Sequence, residues 1–158
     1  MGGSLMMDRH IRQIEGWLYA YPVWQKKLQS LRAQLDDHTY TQKQFVAVAS
    51  FSKGTVGDPT QSAAVKRVTL QEEQIRPLEF RIRLLENALL VLTEEESALV
   101  RMRYFERQNN AVTWEALFLS RRAFFRRRVA VLEKLYEALG GDDAIIWEDT
   151  KVTRSALR

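Results

Sequence analysis

The chain has 158 residues, 46% hydrophobic and 28% charged, enough for one ordinary soluble domain or two small ones. It contains no cysteine, which excludes disulfide scaffolds, thiolate-bound zinc and thiol catalysis and fits a reducing cytoplasm. No apolar run approaches the roughly 18 residues needed to span a bilayer, so no membrane partner is expected. Residues Met1-Gly2-Gly3-Ser4-Leu5-Met6-Met7 lack the basic start and apolar stretch of a secretion signal and read as a prefix to a start at Met6 or Met7.

The net charge of +4 is unevenly spread. Residues 101–128 hold eight arginines (Arg101, Arg103, Arg107, Arg121, Arg122, Arg126, Arg127, Arg128) against Glu106 and Glu115. That segment therefore carries +6, and the remaining residues sum to −2. A solvated face usually mixes both signs, whereas a one-sign cluster fits binding to phosphate.

In chain order, Ile11, Ile14, Leu18 and Tyr21 recur at helical spacing and predict a helix over 8–20, broken by Pro22. A second helix resumes at Val23, carries Leu28, Leu31 and Leu35 on one face, and is expected to stop at Asp36-Asp37, which oppose its dipole. Phe45, Val46, Val48 and Phe51 fit a short strand or a helical turn equally well. Residues 52–60 read as a mobile loop punctuated by Gly54, Gly57 and Pro59, without the Gly-Lys-Ser/Thr ending of a nucleotide cradle.

Thr69 with Glu72 predicts the capped start of a third helix, with a kink or restart at Pro77. Leu78, Ile82, Leu85, Leu89 and Leu92 then form a seam that needs a partner helix. That partner is either another part of the same chain, the favoured case, or a second copy in a homodimer. Thr93 with Glu96 predicts a capping box, and Leu99, Met102 and Phe105 are expected to point inward while Arg101, Arg103 and Arg107 are displayed. The helix is expected to end at Gln108-Asn109-Asn110. Thr113 is expected to cap a short helix bearing Trp114, Ala116, Leu117 and Phe118. Ser120 caps a long helix whose expected seam is Phe125, Val129, Leu132, Tyr136 and Leu139, stopped by Gly140-Gly141. From Asp142 a loose tail is expected, with Ile145, Ile146 and Trp147 as candidates to dock on the core.

The fold class expected is all-α, with an amino-terminal helical segment and loop over 8–67, a helical DNA-binding domain over 68–140 and a tail over 141–158. Within 93–139, a capped helix, a short helix, a turn and an arginine-fronted helix follow the order of a helix-turn-helix, whose second helix enters the major groove. Ser120, Arg121, Arg122 and Arg126 are the candidates to read or position bases, because arginine pairs bidentately with guanine. Arg127, Arg128, Arg103 and Thr113 join the DNA-facing set, with Arg127, Arg128 and Arg103 assigned to phosphates. Enzymatic activity is not expected. His10 and His38 lie far apart, no nucleophile has a neighbouring base, and Asp36-Asp37-His38 reads as a helix end rather than a metal fragment. No cofactor or metal is expected.

The segments Leu92–Glu96, Leu99–Glu106, Thr113–Glu115 and Ser120–Arg126 resemble phage late-gene transcriptional regulators of the ArpU/RinA type. The stretches 77–82 and 11–21 also look like that family's helical amino-terminal half. The resemblance implies a sigma-factor-like carboxyl-terminal helix-turn-helix, promoter DNA as ligand, RNA polymerase as a further partner and the bacterial nucleoid as the place of action. Five residues separate Trp114 from Ser120, about one helical turn short of the family pattern. Either the first helix of the motif starts earlier, near Asn110, or the turn is tighter. The alternatives are the DNA-recognition subunit of a phage packaging motor, or a helical protein–protein adaptor.

Overall fold

A computed structural model describes residues 2–49 and 59–147, with side chains at 5–37 and 61–147. The fold is all-α, and no strand occurs among the described residues. Among the described residues six α-helices follow one another: α1 (Gly2–Ala49), α2 (Pro59–Thr69), α3 (Arg76–Leu89), α4 (Glu94–Val100), α5 (Asn110–Ala116) and α6 (Arg121–Ala138). π-Helical turns at Leu70–Ile75 and Arg101–Phe105 lead into α3 and out of α4. None of the described helices is long and apolar enough to cross a membrane.

Several expected boundaries are corrected. α1 starts within the prefix and runs through Pro22 without a break. Proline removes one backbone donor, and burial of Ile14 and Leu18 before it and of Leu28 and Leu31 after it sustains the helix on both sides. Asp36-Asp37 do not end the helix, because their dipole penalty acts only in a terminal turn and α1 continues to Ala49. Residues 45–49 are helical, and most of the expected 52–60 loop lies outside the described residues, with Pro59 opening α2. Thr69 caps nothing, since it has helical angles (φ −60°, ψ −47°) and no side-chain cap bond. The helix passes through it into the π turn, which precedes Pro77.

The chain divides into two compact units, and these do not follow the expected sequence order. One comprises 23–83, the other 1–22 with 84–158. In the 23–83 unit, Leu28 and Leu31 of α1 are buried, as are Ile75, Leu78 and Ile82. Arg32 Nη2 donates to Glu79 Oε1 at 2.7 Å, tying α1 to α3.

In the other unit the core is built from Ile14, Leu18, Leu85, Ala88, Leu99, Val100, Tyr104, Phe124, Val131, Leu132, Leu135 and Tyr136. Of the expected core, Leu85, Leu99 and Leu132 are buried, while Leu89, Met102, Phe105, Leu117 and Phe125 are only half-buried and Val129 is exposed. The π turn at 101–105 is one reason: its inserted residue rotates the helix, bringing Tyr104 inward in place of Met102 and Phe105. On α6 the buried residues are Phe124, Val131, Leu132, Leu135, Tyr136 and Leu139, so Leu132, Tyr136 and Leu139 of the expected seam are inward, while Phe124 replaces Phe125 at its start and Val129 is exposed.

Beyond α6, Gly140 (φ 110°) and Gly141 (φ 64°) supply the left-handed turn that ends the helix. Over 141–147 the chain folds back through two 3₁₀ turns, and of the three docking candidates Trp147 is buried, Ile146 half-buried and Ile145 exposed. Trp147 stacks on His10 at 4.2 Å and on Trp17 at 5.4 Å, and its indole N–H donates to the Gly141 carbonyl at 2.7 Å. Tyr136 lies beneath this stack, where burial and a hydrogen bond with Asp142 push its phenol up to about 12. Residues 148–158 lie outside the described residues. Leu135 is fully buried on α6, so Leu135→Ala is expected to cost about 2–5 kcal/mol, measured by urea unfolding.

Candidate nucleic-acid interface

Local backbone chemistry sets where α6 begins. Thr93 caps α4 with a complete capping box, its hydroxyl accepting from Glu96 N–H and Glu96 accepting from Thr93 N–H. α4 leaves through the π turn, and Arg107 (φ 55°) turns the chain. Asn109 then caps α5, its side-chain oxygen accepting from Val112 N–H at 2.8 Å. α5 therefore starts at Asn110, the earlier of the two starts expected. Thr113 is not its cap. It is fully buried inside α5, with its hydroxyl donating to the Asn109 carbonyl at 2.9 Å, and this removes it from any surface contact.

α5 ends in a Schellman-type turn. Leu119 N–H donates to the Trp114 carbonyl at 2.8 Å and Phe118 N–H to the Glu115 carbonyl at 3.1 Å. The residue that must be left-handed is Phe118 (φ 55°), and its side chain is 95% exposed. Glycine is usual at this position, so the absence of one concealed the turn from the sequence. Two residues on, Ser120 has extended angles (φ −70°, ψ 158°), and its hydroxyl accepts from Ala123 N–H at 3.1 Å. α5 is held on α6 by Trp114 packing edge-on against Phe124 and Phe125, with centroids 5.9 and 6.2 Å apart. α4 is held on α6 by the ion pairs Arg127–Glu95 and Lys134–Glu96.

The arginines sort into two groups. Arg121, Arg122 and Arg126 are exposed and have no ion pair among the described residues. The others are engaged within the fold. Arg103 is half-buried, donates to the Asn110 side chain and the Gln108 carbonyl, and lies over the rings of Tyr19 and Tyr104. It is not displayed as the helical pattern expects. Arg101 pairs with Glu106 at 3.8 Å, and Arg107 donates to the Tyr19 carbonyl.

Arg128 departs furthest from expectation. Its side chain occupies the buried stripe of α6 between Phe124 and Val131, and its guanidinium donates to Glu15 Oε2 and to the Tyr104 hydroxyl at 3.0 Å. Tyr104 in turn donates to the same Glu15 oxygen at 2.9 Å, closing a triangle between α1, the π turn and α6. Burial opposes the Arg128 charge, but the bonds to Tyr104 and Glu15 outweigh it and hold the guanidinium protonated beyond the ordinary arginine range. Burial, reinforced by the Glu15 carboxylate, pushes the Tyr104 phenol well above its ordinary range despite the Arg128 hydrogen bond. Arg128 is thus a tether of the helix, with one quarter of its side chain exposed. Among the described residues no group of three or more His, Asp or Glu is placed to hold a metal ion.

Glu15→Gln keeps the shape of the triangle and removes its anion, leaving Arg128 only one quarter exposed without a counter-charge. A loss of about 1.5–3 kcal/mol is expected, together with a smaller loss in the double variant Glu15→Gln/Arg128→Met, read by chemical denaturation.

No protein-family model, no curated protein and no solved structure matches this chain.

Proposed function

We propose that this chain is a sequence-specific binder of double-stranded DNA, with α5 and α6 acting as a helix-turn-helix and the front of α6 lying in the major groove. One observation carries the reading: the three arginines on the first two turns of α6 are exposed and have no ion-pair partner among the described residues, while the neighbouring arginines are engaged within the fold. Three like charges on two turns repel one another, and a polyanion compensates them. The Ser120 cap fixes where the helix starts, so Arg121, Arg122 and Arg126 stand at its first, second and sixth positions, where an inserted helix meets base edges.

Arg121, Arg122 and Arg126 read or position bases in this account. Arg127 serves a phosphate. Its pair with Glu95 is solvent-exposed, and such a pair is worth at most about 1 kcal/mol, so exchange for phosphate costs little. Arg128, Arg103 and Thr113 support the reading helix from within. The resemblance to phage late-gene regulators supplies the regulatory part of the proposal: promoter DNA as ligand, RNA polymerase as the protein partner, and action at the nucleoid of a bacterial host.

Selection from a random duplex library, followed by salt titrations on the selected and a scrambled duplex, tests this. Arg122→Ala is expected to cost about 1–3 kcal/mol on the selected duplex and to relax preference there. Arg127→Ala is expected to weaken both duplexes alike and reduce the salt slope by about one counterion. No binding at low salt, or equal binding of both duplexes by wild type and Arg122→Ala, overturns the proposal.

A further inference from the structure

Val129 is an apolar side chain that the expected seam assigns to the core, yet it is 52% exposed. At 100° per residue, Arg122, Arg126 and Val129 fall within about 60° of one another, opposite buried Phe124, Val131 and Leu135, while buried Leu132 and Tyr136 flank the carboxyl-terminal end of this stripe. Val129 is covered over only about half its surface, and a β-branched residue adds nothing to helix propensity, so much of its apolar area is left open on the same stripe as two arginines.

We infer that Val129 is a specificity-determining residue that packs against the 5-methyl group of a thymine in the major groove. The inference deepens the DNA-binding reading and rests on it. Seven residues at about 1.5 Å rise separate Arg122 from Val129 by roughly 10.5 Å, close to three base-pair steps at about 3.4 Å and within the roughly 12 Å width of the groove. The methyl group of thymine is the apolar feature of the groove floor, and a short branched side chain with one favoured rotamer meets it at little entropic cost. A protein partner is disfavoured by charge, because an apolar patch docking here would cover Arg122 and Arg126 without compensating them. DNA sets its phosphates at the groove edges and the methyl between them. The next exposed residue on the stripe is Glu133, whose carboxylate is repelled by phosphate, so the reading face ends at the third turn.

The test uses the duplex selected by wild type from a random library, remade with each thymine replaced singly by uracil, which deletes only the methyl. One uracil position is expected to weaken wild type about three- to five-fold, the scale of one buried methyl. Val129→Ala is expected to weaken the thymine duplex to a similar degree, to show no further loss at that uracil, and to keep the wild-type melting temperature and salt slope. Unchanged affinity at every uracil position, or losses that add between Val129→Ala and uracil, overturns the inference alone. Failure of wild type to bind any duplex overturns the inference together with the reading beneath it.

Discussion

Glu15 accepts hydrogen bonds from Tyr104 and Arg128, two residues far from it in sequence that themselves share a bond. The placement of α6 depends on this triangle. α6 is an unpromising helix to bury, with five arginines among residues 121–128, and its inward stripe is interrupted by one of them. A partly buried guanidinium is costly unless it is paired and hydrogen-bonded. Glu15 supplies the charge and Tyr104 the second acceptor, so a position that opposes folding becomes a fixed point between α1, the π turn and α6. Apolar packing of Phe124, Val131, Leu132 and Leu135 supplies area around it, but apolar contacts are non-directional and set rotation less sharply than a bonded charge.

With Arg128 directed inward, rotation of α6 is decided, and the directions of its neighbours follow from 100° steps. Arg127 turns toward Glu95 of α4, and Phe125 toward Trp114 of α5. Arg122, Arg126 and Val129 are left facing outward. One internal interaction thus leaves an outward surface of positive charge with no ion-pair partner among the described residues, and that surface carries the functional proposal. The Ser120 cap and the left-handed Phe118 set the other coordinate, the point along the chain where the helix begins.

Features governed by chemistry within a few residues were legible in the sequence. The capping box at Thr93, the cap at Ser120 and the glycine stop at Gly140 each depend on one side chain or one backbone angle and its nearest neighbours. Register was legible along the regular stretches, where Leu78, Ile82, Leu85, Leu132, Tyr136 and Leu139 are buried as their spacing predicts, and misread where an arginine or a π turn interrupts it. The stripe Phe124–Arg128–Val131–Leu135 has an arginine where a periodic pattern expects an apolar residue, so the apolar alternative beginning at Phe125 looked better. The π turns shift the helix face by an inserted residue, which no apolar spacing announces, and they exchange Tyr104 for Met102 and Phe105. Phe118 and Arg107 hold left-handed angles normally supplied by glycine or asparagine, and local propensity gives no sign of them. For the candidate interface, composition located the arginine cluster, but the division into engaged and unpaired members required the partners Glu15, Glu95 and Asn110, which helical spacing does not reveal.

That division is the central claim, and arginine-selective modification with phenylglyoxal, mapped by peptide mass spectrometry with and without a short random-sequence duplex, tests it most directly. The account predicts that Arg121, Arg122 and Arg126 react readily in the free protein and are protected by the duplex, while Arg103 and Arg128 react slowly in both states. Equal reactivity of Arg128 and Arg122 in the free protein, or no protection of Arg121, Arg122 and Arg126 by duplex, would contradict it.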